Sequence, residues 1–305
     1  MSDQSSTVDQ VGAHLAKNAR QILERSLKER VDFVKRDSWI PYRAGEEILQ
    51  QLEDLFTHPK VARMPFLAIC SRTNNGKSRI LDYFLEQHRP DDNPDGGAIH
   101  LPVLRIQCPG SPDESRLYDE IFRRVFIKVR PSMSAKDKQS MVFGILSDID
   151  VGMLVIDEVN FAESGTIAKQ KTFLNALRSL SIELKIPIAM AGTEEMMRVI
   201  RTVPAFENRA IPAYLPLWQC DLAFRELLAS FERIIPLKYP SELSKKKFAT
   251  LLHCRCEGTI GELKLLLGKL TKLAIETGEE RITEDMVDAC GYKSPSARLR
   301  ERAPL

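Results

Sequence analysis

No apolar run in this chain approaches the roughly 18 residues of a membrane span, so it offers no candidate transmembrane helix. The first residues, Met1-Ser2-Asp3-Gln4-Ser5-Ser6-Thr7, lack the basic and then apolar regions of a secretory signal, and the expected compartment is the cytoplasm. Cysteine is sparse. Six are scattered at 70, 108, 220, 254, 256 and 290, which is no disulfide framework for 305 residues. His253-Cys254-Arg255-Cys256 has C-x-C spacing without a second ligand pair, which argues against zinc. Charge of one sign is lacking too: the formal net charge is +2, so any nucleic-acid surface must be local. What remains, 43% hydrophobic and 28% charged, is ordinary globular composition, with length for one large domain and a smaller one.

One further absence is local. In Ser71-Arg72-Thr73-Asn74-Asn75-Gly76-Lys77-Ser78 the pattern G-x-x-x-x-G-K-[ST] is met except at its first glycine, where Ser71 stands. A serine is tolerated there only if its backbone is not left-handed. An apolar run, Phe66-Leu67-Ala68-Ile69, precedes the loop, and a helical pattern, Ile80, Leu81, Phe84 and Leu85, follows it. Strand, tight turn and helix make a P-loop, whose N–H groups face phosphate oxygens. Thr73, Asn74, Asn75 and Gly76 would form the cradle, Lys77 would reach the β- and γ-phosphates of a nucleotide, and Ser78 would ligate Mg²⁺. Met153-Leu154-Val155-Ile156-Asp157-Glu158 is an apolar strand ending in two carboxylates, a Walker B pattern. Asp157 would hold Mg²⁺ and Glu158 would orient the attacking water.

Around these motifs strands are expected at 65–70, 101–107, 153–157 and 187–191, alternating with helices at 77–88, 113–128, 135–148, 168–184 and 194–201. Apolar strands between helices imply a parallel three-layer α/β sheet. Ser111, Pro112 and Glu114 form the expected start of the second of these helices. Beyond Pro216 only helical patterns remain, at 221–232, 243–255, 260–276 and 283–290, the last capped by Thr283. Val11 to Phe33 is expected to be one amphipathic helix, Ala44 to Phe56 another, and Arg89 to Gly97 a surface loop. The boundaries are therefore a helical extension at 1–35, the α/β nucleotide domain at 36–215, a helical lid at 216–292 and a basic, mobile tail at 293–305. Truncating either terminus is expected to spare ATP binding and impair partner recruitment.

A P-loop α/β domain followed by a helical lid resembles the AAA+ ATPases. A closer likeness is carried by Trp39-Ile40-Pro41-Tyr42, Thr73 to Ser78, Arg116-Leu117-Tyr118, Phe173-Leu174-Asn175-Ala176-Leu177-Arg178, Ala191-Gly192-Thr193 and Glu257 to Glu262. Over about 36–290 the chain resembles the TniB/TnsC family of bacterial transposition ATPases. The resemblance implies an ATPase that oligomerises on double-stranded DNA without sequence preference, as a ring or filament. It also implies recruitment of a DDE transposase, a TniQ-type target selector as partner, and hydrolysis that promotes disassembly. It places Thr193 at the sensor-1 position and Arg209 where an arginine finger is presented to a neighbouring subunit. Ala210 stands where the family more often has phenylalanine. Gly261 stands where AAA+ lids carry a sensor-2 arginine, with Lys264 one turn on, which implies slow turnover.

Two local clusters are candidates for DNA phosphates: Lys128, Arg130, Lys136 and Lys138, next to Arg123 and Arg124, and Lys169 with Lys171. Each also fits an ordinary solvated helix face. The alternatives are a helicase loader of the DnaC/IstB kind, a replication-initiation ATPase, and a nucleotide switch that does not bind DNA.

Overall fold

The computed structural model describes residues 11–36, 38–91 and 99–302. The polar segment 1–8, most of the 89–97 loop and the last three residues of the tail lie outside the described residues.

Five parallel strands, β1 (Phe66–Cys70), β2 (Val103–Gln107), β3 (Met153–Asp157), β4 (Ile188–Gly192) and β5 (Ala210–Tyr214), form one sheet in the order β2-β3-β4-β1-β5. The inner three are buried at every residue, which is why they read as continuous apolar runs. Alternate side chains face opposite layers. Phe66, Ala68, Leu104, Ile106, Leu154, Ile156, Ile188 and Met190 join Leu117, Phe122, Phe173 and Leu177 in one core. Helices Arg43–Phe56 and Lys77–Gln87 pack on each other and on β1 and β4 respectively. This is an α/β fold with a parallel sheet, as the alternation predicts. The strand at 210–214 was not foreseen: Pro212 and an exposed pattern disguise it, and both are at home on an edge strand. The helix Glu114–Arg124 is capped by Asp113, whose side chain accepts the Arg116 N–H at 3.2 Å, rather than by Ser111.

The chain divides into two compact units: one of residues 43–73 and 77–216, and one of residues 1–42, 74–76 and 217–305. The second is helical, with helices Leu222–Ile234, Lys246–Cys256 and Ile260–Glu276 around a core of Leu227, Phe231, Leu252, Leu263, Leu266 and Leu270. Residues 11–36 differ from the single expected helix. Lys17–Arg20 and Leu27–Lys35 are separate helices, the latter restarted by a capping box between Ser26 and Glu29. The expected helix at 283–290 shortens to Met286–Ala289, with Asp285 rather than Thr283 at its cap. Residues 295–302, expected to be mobile, form a helix. Its Arg298 donates to Glu262 at 2.6 Å, and Glu262 also accepts from Tyr292 Oη at 2.7 Å and Asn74 Nδ2 at 3.1 Å. Burial alone would raise the Glu262 pKa, but Arg298, Tyr292 and Asn74 together hold it below the ordinary value.

Residues 11–36 are integral to this unit. Arg30, with 5% of its surface exposed, donates to the Pro236 carbonyl at 2.6 and 3.0 Å and pairs with Glu280 at 2.5 Å. Removing residues 1–35 therefore strips a buried ion pair and Val31 and Val34 from a packed core, and a clean loss of partner recruitment is no longer the expected result. Glu280→Ala alone leaves the guanidinium buried and unpaired, at a cost of about 3–5 kcal/mol. Urea unfolding should show that drop, and Arg30→Met with Glu280→Leu should recover most of it. The pH dependence has a defined sign. Burial opposes ionisation of Glu280, yet Arg30 prevails and its pKa is depressed. Its stabilising contribution is thus complete above the ordinary carboxylate value and is lost as pH falls through the lowered one. Thermal melts between about pH 6 and 3 should lose less slope-bearing stability in the double variant than in the natural protein.

Candidate functional site

The parallel register sets where the loops meet. Cys70 of β1 lies level with Gly192 of β4, and Gln107 of β2 level with Asp157 of β3. The segments leaving these strands therefore share the carboxyl edge of the sheet, where open α/β sheets take their ligands. Ser71 prolongs β1, its N–H donating to the Gly192 carbonyl at 3.1 Å. Its φ is not positive, so the serine satisfies the condition set by its missing glycine. The left-handed residues of the loop are Asn74, at φ 61°, and Gly76, at φ 94°. Asparagine tolerates that region, and glycine meets no steric cost in it. Helix Lys77–Gln87 begins immediately, and its first N–H groups have no partner within the helix.

Lys77 is buried, and its ammonium donates to the carbonyls of Ser71 at 2.9 Å and Arg72 at 3.0 Å. Burial pulls its pKa down, and the carboxylates of Glu158 and Asp157 pull back. Ser78 Oγ donates to Asp157 Oδ2 at 3.0 Å, while Asp157 Oδ1 accepts the Glu158 N–H at 2.9 Å. A hydroxyl and a carboxylate in contact are the hard oxygen donors that Mg²⁺ takes, so the pair fits that ion. Glu158 sits at φ 56° and ψ 39°, a left-handed conformation that costs a non-glycine residue about 1–2 kcal/mol. Such strain concentrates at functional positions.

Sequence reasoning missed Arg105. From the middle of β2 its guanidinium donates to Asp157 Oδ2 at 2.5 Å and to Asp82, one helical turn beyond Ser78. Its signal was a charged residue inside an otherwise apolar strand, which could have been read against the acidic end of β3.

Thr193 follows β4 at the same edge, and its hydroxyl donates to Glu195. That bond and others hold the Glu195 carboxyl below its ordinary pKa. Arg209 lies at the other end of the sheet, where its carbonyl accepts the Phe66 N–H at 3.0 Å. The whole of β1, roughly 16 Å of strand, separates it from the P-loop of its own chain. Its guanidinium lies over the Phe66 ring, 5.8 Å from the centroid, and Nη1 has no hydrogen-bond partner among the described residues. Burial, and then Arg178 and Arg63, lower its pKa.

Among the candidate DNA contacts, Lys128, Arg130, Lys136, Lys169 and Lys171 are exposed. Lys138 is not, and its assignment is corrected. Its side chain is 5% exposed, pairs with Asp119 at 2.6 Å and donates to Ser115 Oγ at 2.9 Å, joining helices Glu114–Arg124 and Ala135–Asp148. Lysine on the inner side of a helix looks like any other in a basic run. Lys138→Ala should therefore lower the melting temperature, by about 2–4 °C per kcal/mol lost, whereas Lys136→Ala should leave it unchanged. In the helical unit Gly261 donates its N–H to the Asn74 carbonyl at 3.0 Å, and a Cβ there would lie 1.9 Å from Asn74 Oδ1. No side chain fits at 261 without displacing Asn74.

A five-stranded parallel sheet carrying a P-loop and a Walker B strand, followed by a helical region, is the P-loop AAA+ fold. Solved structures agree at the level of fold. Aeropyrum pernix ORC2, in its ADPNP–ADP complexes, is similar at 14% identity and TM-score 0.60, over 88% of this chain and 73% of that one. Cdc6p of Pyrobaculum aerophilum gives 16% and 0.58, over 82% and 68%. Aeropyrum pernix ORC1 in complex with DNA gives 15% and 0.55, over 89% and 68%. No curated relative matches the sequence. The family profile of the bacterial TniB protein matches residues 30–220, more than half of the chain, and the chain belongs to that family.

Proposed function

We propose that this protein is an ATP-hydrolysing regulator of DNA transposition that assembles on duplex DNA. The observation that carries the reading is the Ser78–Asp157 contact beside a P-loop, within the stretch that matches the TniB family. ATP and Mg²⁺ fit this donor set. The backbone from Thr73 to Gly76 would cradle the phosphates, Lys77 would exchange its loop carbonyls for β- and γ-phosphate oxygens, and Ser78 and Asp157 would hold the metal. When bound, Mg²⁺ offsets negative charge on the phosphates.

Glu158 is the residue to accept a hydrogen bond from the attacking water, and its carboxylate lies on the same edge as Lys77. Thr193 would sense the γ-phosphate by letting go of Glu195. Arg209 lies at the opposite end of β1 from its own P-loop, so its charge would serve a neighbouring copy; a homo-oligomer then becomes a condition of turnover. Arg105 holds Asp157 and Asp82 together and so positions the metal-binding carboxylate. Exposed Lys128, Arg130, Lys136, Lys169 and Lys171 supply phosphate contacts that read no sequence. A DDE transposase and a TniQ-type target selector are the partners the family membership supports, in a bacterial cytoplasm; among the described residues no helix is long and apolar enough to cross a membrane.

The test is mobility shift on non-specific duplex with and without a non-hydrolysable ATP analogue. Nucleotide-dependent binding, with affinity falling steeply with salt, is expected. Nucleotide uptake by calorimetry without any duplex binding would overturn the DNA half of the reading and leave a nucleotide switch.

A further inference from the structure

Phe126 is the most exposed large apolar residue among those described, at 92%, and it stands in a left-handed conformation, φ 59°. It ends the helix Glu114–Arg124. The Phe126 N–H donates to the Arg123 carbonyl at 3.2 Å and the Ile127 N–H to the Phe122 carbonyl at 2.9 Å, the two bonds of a Schellman motif. Phe126 therefore occupies the position that helices normally give to glycine. A bulky residue at positive φ is an outlier, and here solvent covers its ring instead of a core. Local strain and apolar exposure coincide on one side chain that lies outside the core.

The surroundings say what would cover it. From Ile121 to Lys136 there is no aspartate or glutamate, while Arg123, Arg124, Lys128, Arg130 and Lys136 are present and exposed. Val125, Ile127 and Val129 turn inward onto the core and alternate with outward Phe126, Lys128 and Arg130. One aromatic ring thus rises from a row of cations with no exposed aliphatic neighbour beside it. Beside the outermost strand β2 a cavity of about 360 Å³ lies at its foot, lined by Arg105, Gln107, Arg123, Arg124 and Phe126 with Glu120 and the buried Ile106. Arg123 is partly neutralised by Glu120. A protein partner would want apolar area around the ring. A polyanion with apolar faces stacked inside it matches both features, and duplex DNA is such a partner.

We propose that Phe126 is a wedge that enters between base pairs of duplex DNA while Arg124, Lys128 and Arg130 hold the flanking phosphates. The proposal rests on the DNA-binding reading above and adds a mode of contact to it. Apolar side chains that part a base step unstack it and bend the helix, and the energy depends on how readily the step deforms. Target choice would then follow flexible pyrimidine–purine steps, without any base-edge hydrogen bond.

The experiment uses the full chain, an ATP analogue and a duplex containing 2-aminopurine, with a doubly labelled duplex to report bending. The natural protein should raise 2-aminopurine fluorescence and shorten the end-to-end distance. Phe126→Ala should bind the same duplex within a factor of about three, keep the salt slope, and lose both signals. Lys128→Ala with Arg130→Ala should instead lower that slope by about two. Phe126→Gly should lose the signals while its melting temperature rises, because glycine suits the left-handed backbone. Unstacking that persists in Phe126→Ala overturns the wedge while DNA binding stands. Absence of duplex binding by the natural protein overturns both. Loss of self-association by Phe126→Ala without DNA, seen by sedimentation, assigns the ring to a contact between copies and also overturns it.

Discussion

Alanine at Arg209 should cut ATP turnover by about 10³-fold while ATP affinity changes little, because an arginine finger acts on the transition state alone. The geometry sets the form of this result. Arg209 is separated from its own P-loop by the length of β1, so the loss must appear in the neighbour's site. Mixing Arg209→Ala with Glu158→Gln therefore has a definite outcome. The first variant keeps an intact carboxylate and lacks a finger; the second keeps the finger. At some subunit interfaces of a mixed assembly both groups are present, and activity should return although each parent is inactive. The unpaired Nη1 and the repulsion from Arg178 and Arg63 give the side chain an incentive to leave Phe66 for a phosphate. Undiminished turnover in Arg209→Ala, or no recovery on mixing while the two variants co-assemble, would remove Arg209 from the mechanism.

What could be read from the sequence divides along burial. β1, β3 and β4 were legible to within a residue or two because a strand covered on both faces is apolar throughout. β5 was not, since an edge strand with Pro212 carries neither alternation nor a continuous run. The P-loop and the acidic end of β3 are short-range patterns, and the structure places them side by side. Arg105 depends on strand order: only when β2 neighbours β3 does its guanidinium meet Asp157. Lys138 failed for the opposite reason, because a basic run does not reveal which lysine turns inward. In the segment 11–36 the apolar spacing is helical, but Ser26 starts a new helix and Gly12 adopts φ 69°, and period alone does not register such breaks. Gly261 was noticed for lacking a side chain; the reason, that a Cβ there would lie 1.9 Å from Asn74 Oδ1, is tertiary.

Lys77→Ala should weaken ATP binding by about two orders of magnitude, the scale of losing one desolvated charge partner of a polyanion. Its effect on the protein alone should be small, and this contrast makes the prediction specific. Among the described residues the Lys77 ammonium donates to the carbonyls of Ser71 and Arg72, and burial disfavours its charge more than Glu158 and Asp157 favour it. Removing it relieves a desolvation cost and gives up two hydrogen bonds, terms of opposite sign and similar size. The melting temperature without nucleotide should therefore stay near that of the natural protein. Saturating ATP should raise that temperature in the natural protein, by about 2.7 kcal/mol of stabilisation at a hundred times the dissociation constant, and should do almost nothing for the variant. Ser71→Gly is the matched control: Ser71 has no positive φ, so glycine there has no left-handed strain to relieve, and ATP affinity should stay within about threefold of the natural value. If Lys77→Ala unfolds the protein, the lysine is chiefly a brace for the loop. If instead it melts normally and binds ATP as before, the phosphates lie elsewhere.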